Sequence, residues 1–335
     1  MMKKYLPSFL LLYSISFLAA PESYAQGCSD AGFCTMGAMK PSQIYTKKIN
    51  FKLRSVEFSY GRAQTTLTPT ITAATVDLAF GITEKMSFQL KLPYYWVDGN
   101  LGQTNGLSDI SYSITRNMYS SEKFHINATL GGKIPTNNSD LDSDVNSQYL
   151  TDGREASGLS TDLPMYYQTS LGSVDIVAGA SFISKKWMFA TGIQIALTEN
   201  ENDFRWGQWG NYPDINYLQD NDLANNLKRG TDIMFRVERA FHFSKWDIRV
   251  GALPIFRITQ DEVLDVVPGS ETQGQRIKVE NTTGLALTAI GNVAYHFNTN
   301  NSVALLYGIQ ITDRKNNPDG LTRDIVLSLS YVLRF

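Results

Sequence analysis

Apolar and polar residues alternate along most of the chain, in successive stretches separated by polar segments. A period of two residues is typical of a β-strand whose two faces meet different surroundings. The pattern therefore predicts a chain built of strands. We assign twelve of them, at residues 49–62, 72–81, 86–96, 107–118, 123–134, 166–183, 187–198, 230–243, 246–258, 281–297, 302–312 and 322–335.

The last stretch, LSLSYVLRF, shows the alternation clearly. One face carries Leu327, Leu329, Tyr331, Leu333 and Phe335. The other face carries Ser328, Ser330, Val332 and Arg334. An ordinary sheet strand would show this pattern, and so would a strand with one face in lipid and the other in water.

The connections between the strands help to choose between these two possibilities. Every second connection is short: 83–85, 120–122, 184–186, 244–245 and 298–301. The others are longer and polar: 63–71, 97–106, 135–165, 199–229, 259–280 and 313–321. Bacterial outer-membrane barrels have short periplasmic turns and longer outer loops. The sequence therefore predicts an all-β fold, a transmembrane antiparallel up-and-down β-barrel of about 12 strands, located in the cell outer membrane.

Closure of the barrel and contact with lipid follow from this fold. The last strand is expected to pair with the first, because an open edge in lipid would leave backbone groups unpaired. Aromatic residues gather at strand ends, for example Trp96, Trp187 and Trp246, as in the interfacial girdles of barrels that contact outer-membrane lipids. Phe335 on an alternating strand resembles the signal that the barrel-assembly machinery recognises, so this machinery is an expected partner.

The N-terminal residues have a different character. Lys3 and Lys4 precede an apolar stretch that ends in Ser-Tyr-Ala at 23–25, which is the pattern of a secretory signal peptide. A lipoprotein signal, with Cys28 as the lipidated residue, is an alternative that lacks the usual apolar residue three positions earlier. No later apolar run reaches the roughly 18 to 20 residues that a spanning helix needs. We therefore divide the chain into a signal peptide (1–25), an N-terminal segment (26–48) and the barrel (49–335).

Composition bears on the partners and on the N-terminal segment. The net charge of -2 gives no reason to expect nucleic acid as a partner. Cys28 and Cys34, the two cysteines of the chain, are expected to form a disulfide in the oxidising periplasm, and this small ring could enter the lumen as a plug. The alternative is a Cu(I) site made with Met36 and Met39, since thiolates and thioethers are soft ligands. We favour the disulfide because no histidine lies nearby, and we predict no metal and no cofactor.

Charged residues on the inward faces form the candidate site. By alternation, the lumen-lining residues are Asp77, Lys91, Asp109, Lys133, Asp175, Arg236, Glu238, Arg249 and Arg257, together with Asp247 and Asp324. Two interpretations stay open: a mesh of salt bridges that braces and plugs the barrel, and a selective conduit. The mixture of signs argues against strong selectivity for anions or cations.

The histidines and the loop 199–229 are two further candidate features. His125, His242 and His296 fall on the inward faces near the short-turn ends. We expect polar rim residues rather than a metal or proton site, because the three lie on different strands and would have to converge across the barrel. The loop 199–229 is rich in aromatic and amide residues, and it is interpreted either as a patch that gathers a ligand or as a loop folded into the barrel mouth.

Three hairpins resemble one family of barrels. Residues 76–99 contain a short polar turn and an LPY exit, residues 106–138 contain G-L-x-D and K-x-P-T, and residues 171–197 contain G-S-x-D and a turn with Trp187. This set is similar to the MetA-pathway phenol-degradation family of outer-membrane β-barrel proteins, a transporter-like grouping. The resemblance implies an aromatic substrate, and it brings no catalytic residues with it.

These patterns together predict an outer-membrane channel through which a small-molecule solute, hydrophobic or aromatic, passes by passive diffusion. The alternative is a non-conducting barrel that acts as a structural scaffold or as a membrane-embedded hydrolase. No catalytic residues are assigned, because spacing alone supports no nucleophile–base pair, and we predict that the protein is not an enzyme.

Overall fold

The structure is a computed structural model that describes residues 36, 39–40, 51–64, 69–142, 144–151, 162–220, 226–265, 269–320 and 324–335. Residues 1–25, Cys28 and Cys34 lie outside the described residues. The signal peptide and the disulfide therefore stay predictions.

Sixteen strands form within the described residues. They are β1 (Lys52–Gln64), β2 (Thr70–Gly81), β3 (Met86–Gly99), β4 (Gly102–Leu107), β5 (Ile110–Ser120), β6 (Phe124–Ile134), β7 (Asp144–Val145), β8 (Asp175–Ser184), β9 (Trp187–Ala196), β10 (Asp232–Phe243), β11 (Trp246–Arg257), β12 (Glu262–Leu264), β13 (Arg276–Lys278), β14 (Gly284–His296), β15 (Asn301–Thr312) and β16 (Ile325–Arg334). A short helix, α1 (Ile215–Asp220), lies in one of the loops. No helix in the described part of the chain is long and apolar enough to cross a bilayer.

The long strands form one closed antiparallel ring. The main sheet has fourteen strands, of which β4 and β7 are short extensions in the loops, so that twelve strands of the described chain make the ring. β1 pairs with β2 on one side and with β16 on the other, with Tyr60 opposite both Ala74 and Leu329. Closure leaves the ring without a free edge, which is the condition for a sheet that is surrounded by lipid.

The two ends of the ring differ in their connections. The short turns 82–85, 121–123, 185–186, 244–245 and 297–300 all lie at the end where β1 begins and β16 ends. We call this the short-turn end. The longer connections lie at the opposite, long-loop end, as the alternation of short and long connections predicts.

The outer surface of the ring is apolar. Tyr60, Leu130 and Leu329 are 61%, 63% and 53% exposed, and they belong to the faces that the period-two pattern assigns to the outside. Such a band on a closed barrel is the surface that contacts lipid in membrane-spanning barrels.

The loops depart from the predicted elements at several points. The stretch predicted as a strand from residue 166 begins only at Asp175, because Tyr166 and Tyr167 form a 3-10 turn that is buried in the loops. The short strands β4 and β7 and the hairpin β12–β13 lie in segments predicted as loops. The period-two pattern cannot show these additions, since each is too short to repeat it.

Candidate functional site

A segment of the chain crosses the lumen. Met36 and Met39, 2% and 0% exposed, pack against strands β8 to β11, whereas the ammonium of the neighbouring Lys40 reaches β1 and β2. In the ring these two groups of strands lie on opposite sides. We call Met36, Met39 and Lys40 the strap.

The methionines of the strap sit on an apolar area of the inner wall. This area, which we call the methionine seat, consists of Val177, Met188, Ala190, Met234 and Leu253. These residues occupy inward positions of β8, β9, β10 and β11, the neighbouring strands that supply one side of the wall. The inner wall therefore contains an apolar area among its charged groups.

The other end of the strap is held by an ion cluster. Lys40 Nζ lies 2.7 Å from Glu57 Oε2 and donates a hydrogen bond of 2.8 Å to Asp77 Oδ2. Gln89 also donates to Asp77 Oδ2, at 2.6 Å. Glu57 and Lys91 stand opposite Asp77 in the pairing of β1, β2 and β3, so these charges form a row across three strands. Lys40 and Lys91 supply two positive charges beside the two carboxylates, which keeps the cluster near neutrality.

A cavity lies between the strap and the wall of β1, β2, β3 and β16. Its volume is about 130 Å³. One part of its lining is charged, with Lys40, Glu57, Asp77 and Lys91. The other part is apolar or small, with Gly61, Ala63, Ile71, Ala73, Tyr95, Leu306 and Val326. The cavity therefore offers an apolar surface and a polar end to the same occupant.

Midway along the barrel, one ion pair borders the methionine seat. Arg236 Nε donates to Glu238 Oε1 at 2.6 Å, and both side chains are buried. In the pairing of β9 and β10, Arg236 stands opposite Ala190 and Glu238 opposite Met188. Gly251 faces Glu238 from β11, and a Cβ at this glycine would lie 2.8 Å from Glu238 Cγ. The glycine thus leaves the space in which Glu238 turns towards Arg236, while Arg249 lies half-buried further along β11.

Towards the long-loop end, Lys133 lies between two acids. Its Nζ is 2.9 Å from Asp109 Oδ2 and 3.4 Å from Asp175 Oδ2, and all three side chains are at most 3% exposed. These contacts are ion pairs by distance, although the ammonium makes no well-aligned hydrogen bond. Arg229 adds a second cation, with Nη2 2.5 Å from Asp175 Oδ2. Two buried cations therefore share two buried carboxylates.

Arg257 forms the centre of a second cluster at the same end. Its guanidinium makes paired hydrogen bonds of 2.8 Å to Asp232 and of 2.9 Å to Asp261, and Nη2 lies 2.8 Å from Asp319 Oδ2. Arg314 also contacts Asp319, at 3.4 Å. We call these five residues the arginine latch. Since Asp261, Arg314 and Asp319 belong to two different loops, the latch fixes those loops to the wall.

The loop carboxylates of this region have shifted pKa values. Burial alone would raise the pKa of Asp319, but the guanidinium groups of Arg257 and Arg314 hold that pKa below its ordinary range. Burial raises the pKa of Asp313, next to the latch, to about 6, although Arg314 opposes the shift. Asp319 is therefore ionised at neutral pH, and Asp313 titrates under mildly acidic conditions.

Apolar residues of the loops close over the mouth at the long-loop end. Leu163, Tyr167, Phe204, Trp209 and Leu218 are buried in one cluster with the wall residues Ile71, Tyr95 and Val97. Of the two interpretations of the loop 199–229, the structure therefore supports a loop folded into the mouth. Gly320, with φ +68°, brings a third loop into contact, because a Cβ there would lie 2.8 Å from the Tyr166 backbone nitrogen.

The three histidines lie at the short-turn rim, as expected, and two of them share one carboxylate. His242 Nδ1 lies 2.5 Å from Asp247 Oδ1, and His296 Nε2 lies 2.9 Å from Asp247 Oδ2. The sequence argument did not foresee this pair, which forms because β10, β11 and β14 are neighbours in the ring. His125 lies apart and contacts the Ser120 hydroxyl at 2.7 Å.

Charged residues that alternation assigns to the lumen belong to separate places in the structure. Asp77 and Lys91 belong to the cavity, Asp109, Lys133 and Asp175 to the Lys133 cluster, and Arg257 to the latch. Sequence reasoning missed seven charged residues of these clusters: Lys40, Glu57, Arg229, Asp232, Asp261, Arg314 and Asp319. All except Glu57 and Asp232 lie outside the ring strands, where no period marks an inward position.

Comparisons with known proteins identify the fold. No family model matches the chain, and no curated protein matches its sequence. The structure is similar to the COG4313 outer membrane channel from Pseudomonas putida F1, with a TM-score of 0.55 and 12% sequence identity over 88% of this chain and 100% of that chain. The NanC porin (TM-score 0.44, 8% identity, 85% of this chain and 99% of that chain) and the CymD monoaromatic hydrocarbon channel (0.40, 10%, 94% and 95%) are more distant. At such low identity the first likeness establishes the fold alone: the chain is an all-β, closed, twelve-stranded antiparallel barrel of the kind found in outer membranes.

Proposed function

We propose that the protein is an outer-membrane channel that lets a small hydrophobic or aromatic solute cross by passive diffusion. The short-turn end faces the periplasm and the long-loop end faces the outside, as in bacterial barrels. The solute meets the loops at the mouth, passes the cavity beside the strap and leaves at the short-turn end.

The observation that carries this proposal is the cavity in the lumen. Its volume of about 130 Å³ is close to that of an engineered apolar cavity of about 150 Å³ that binds benzene. Ile71, Tyr95 and Val326 give it an apolar surface, and the row of Glu57, Asp77 and Lys91 gives it a polar end. A monoaromatic solute with a hydroxyl group matches both parts, in keeping with the resemblance of three hairpins to a phenol-degradation family.

The salt-bridge mesh and the conduit coexist in this proposal. The Lys133 cluster and the arginine latch brace one end of the barrel with buried, paired charges. The cavity lies on the opposite wall and is open to the strap. Since both signs of charge line the lumen, the channel discriminates little between anions and cations.

A substitution that fills the cavity tests this proposal. Ala73 lines it, whereas Ala74, the next residue on β2, stands opposite the outward-facing Tyr60. Ala73→Trp is expected to lower phenol uptake into proteoliposomes and conductance in planar bilayers by several-fold, while Ala74→Trp leaves both unchanged. Equal transport by the two variants, both assembled, would remove the cavity from the pathway. The absence of phenol uptake and of conductance with the unaltered chain would reject the channel itself.

The same preparation tests the alternative of a hydrolase. Ser120 and His125 form a serine–histidine contact at an exposed position, and within the described residues no hydrogen bond links the other imidazole nitrogen to an acid. A hydrolase would turn over short-chain esters and lose that turnover in Ser120→Ala. We expect no turnover with either chain.

A further inference from the structure

The strap contacts the wall through side chains. Among the described residues, Met39 N donates a backbone hydrogen bond of 3.0 Å to Met36 O within the strap itself, and no backbone hydrogen bond joins the strap to a strand. Met36 and Met39 are held by apolar contact, and Lys40 is held by two carboxylates. An element without backbone pairing can leave its wall without breaking the ladder of the barrel.

Two glycines beside the methionine seat leave room for the methionines of the strap. A Cβ at Gly131 would come within 2.9 Å of Met36 Cε, and a Cβ at Gly179 within 3.0 Å of Met39 Sδ. Both positions lack a side chain where the methionines lie against β6 and β8. The seat is therefore a recess in the inner wall.

The seat is apolar although it faces the lumen, where water would reach it if the strap were absent. Val177, Met234 and Leu253 are each 0% exposed with the strap in place, and they would meet water if the strap left. An apolar recess in contact with water binds apolar molecules of fitting size. Met188 and Met234 add flexible, polarisable side chains that adapt to the shape of an occupant.

We propose that the methionine seat is a binding site for an apolar small molecule, which competes with Met36 and Met39 for it. Beyond Cβ, the two methionine side chains contain together as many non-hydrogen atoms as a benzene ring, so a single aromatic ring replaces them. Binding releases the strap from this wall and joins the cavity to the rest of the lumen. The inference rests on the proposed channel function and deepens it, because it makes the strap a gate that the solute itself opens.

Competition makes a prediction that simple plugging does not. Met36→Gln with Met39→Gln, the strap variant, weakens the strap but leaves the seat intact. Met188→Gln with Met234→Gln, the seat variant, weakens both the strap and the solute site. Glutamine is similar to methionine in length and replaces the thioether by a polar amide. Met118→Gln, at an outward position of β5 that is 58% exposed, is the matched control.

The measurement is single-channel recording in planar bilayers with toluene as the probe. In the unaltered chain, toluene is expected to raise the open fraction. Both double variants should show a several-fold higher open fraction without toluene. The half-maximal toluene concentration should fall several-fold in the strap variant. It should be several-fold higher in the seat variant than in the strap variant, because only the seat variant also loses contacts to toluene, while Met118→Gln matches the unaltered chain. A variant lacking residues 27–41 reports the direct effect of toluene on the bilayer, and a heat-dependent shift in gel migration confirms that each barrel has assembled.

The outcomes separate this inference from the proposed function. Conductance in every variant, with the same half-maximal toluene concentration in the strap variant and in the seat variant, would overturn competition at the seat and leave the channel standing. A toluene response of the same size in the deletion variant would overturn it as well, because the strap would then not be needed. The absence of conductance from every chain, the deletion variant included, would overturn both.

Discussion

Single side chains at the long-loop end join distant parts of the chain. Arg257 is 3% exposed and contacts three aspartates, two of which come from loops that are far apart in sequence. A planar guanidinium can bind several carboxylates with paired hydrogen bonds, which an ammonium cannot do. Replacing such a residue lowers the stability of the fold, because its buried carboxylate partners remain charged without a counter-charge.

Arg257→Leu is therefore expected to destabilise the barrel and loosen its loops. Removing one partner from a buried ion cluster costs roughly 3 to 5 kcal/mol, because the remaining carboxylates lose their compensation. Arg257→Lys should recover part of this loss. The measurement is urea unfolding in lipid vesicles, with limited proteolysis of the loops.

The control for Arg257 lies in the same loops. Arg276 pairs with Glu199 near the surface, where ion pairs contribute little. Arg276→Leu should change the free energy of unfolding by less than about 1 kcal/mol. Equal effects of the two leucine variants would mean that burial of the latch does not govern its strength.

The faces of β16 give a second test at this scale. Leu329 is 53% exposed on the outer face, and its neighbour Ser328 lines the cavity. Leu329→Arg places a charge in lipid and should cost roughly 2 to 4 kcal/mol near the bilayer midplane. Ser328→Arg should be much milder, since the lumen contains charges and water. The heat-dependent gel shift and urea unfolding measure both, and equal defects would show that the register of β16 is wrong.

The stability of the barrel should depend on pH through Asp313. Its pKa of about 6 in the folded chain is above the ordinary 3.8, so the folded state holds a proton that the unfolded state has released. Stability should therefore fall as the pH rises from about 4 to about 6, and level off above that range. Asp313→Asn should remove this part of the slope in urea unfolding at a series of pH values. An unchanged slope in the variant would assign the titration to another group.

At the scale of elements, the strands and the loops were not equally predictable. The period-two pattern places Asp77 and Lys91 inside and Leu329 outside, because alternation in a strand fixes both faces at once. It gives no position for Lys40 or Asp319, which belong to segments without a period. Their places depend on which distant groups they meet in the folded chain, and only the three-dimensional arrangement contains that information.

The strap is the element whose removal should change the channel most. Deleting residues 27–41 removes it and leaves every strand of the ring. The barrel should still assemble, and conductance in planar bilayers should rise several-fold. Cys28→Ser with Cys34→Ser should act in the same direction but more weakly, if the predicted disulfide stiffens the segment. An assembled deletion variant with unchanged conductance would make the strap a passive tether.

The whole molecule combines a closed ring, an apolar exterior and a charged interior. Such a molecule is stable only with lipid around it, since several large apolar side chains of its outer face are more than half exposed. We expect the protein to fractionate with outer membranes, to begin near Gln26 and to migrate anomalously on gels unless boiled. Recovery in the soluble periplasm, or an intact residue 1 in N-terminal sequencing, would contradict this.

The position of the strap also limits the order in which the molecule can assemble. Met39 needs Val177 and Leu253, and Lys40 needs Glu57 and Asp77, so the binding surface for the strap is complete only after strands from most of the chain have come together. Contacts between residues far apart in sequence form late, because the entropy of closing the intervening chain must be overcome first. A newly made barrel therefore passes through a stage in which the ring is formed and the strap is still undocked. The molecule should leak ions during that stage and conduct less once the strap has docked on both of its walls.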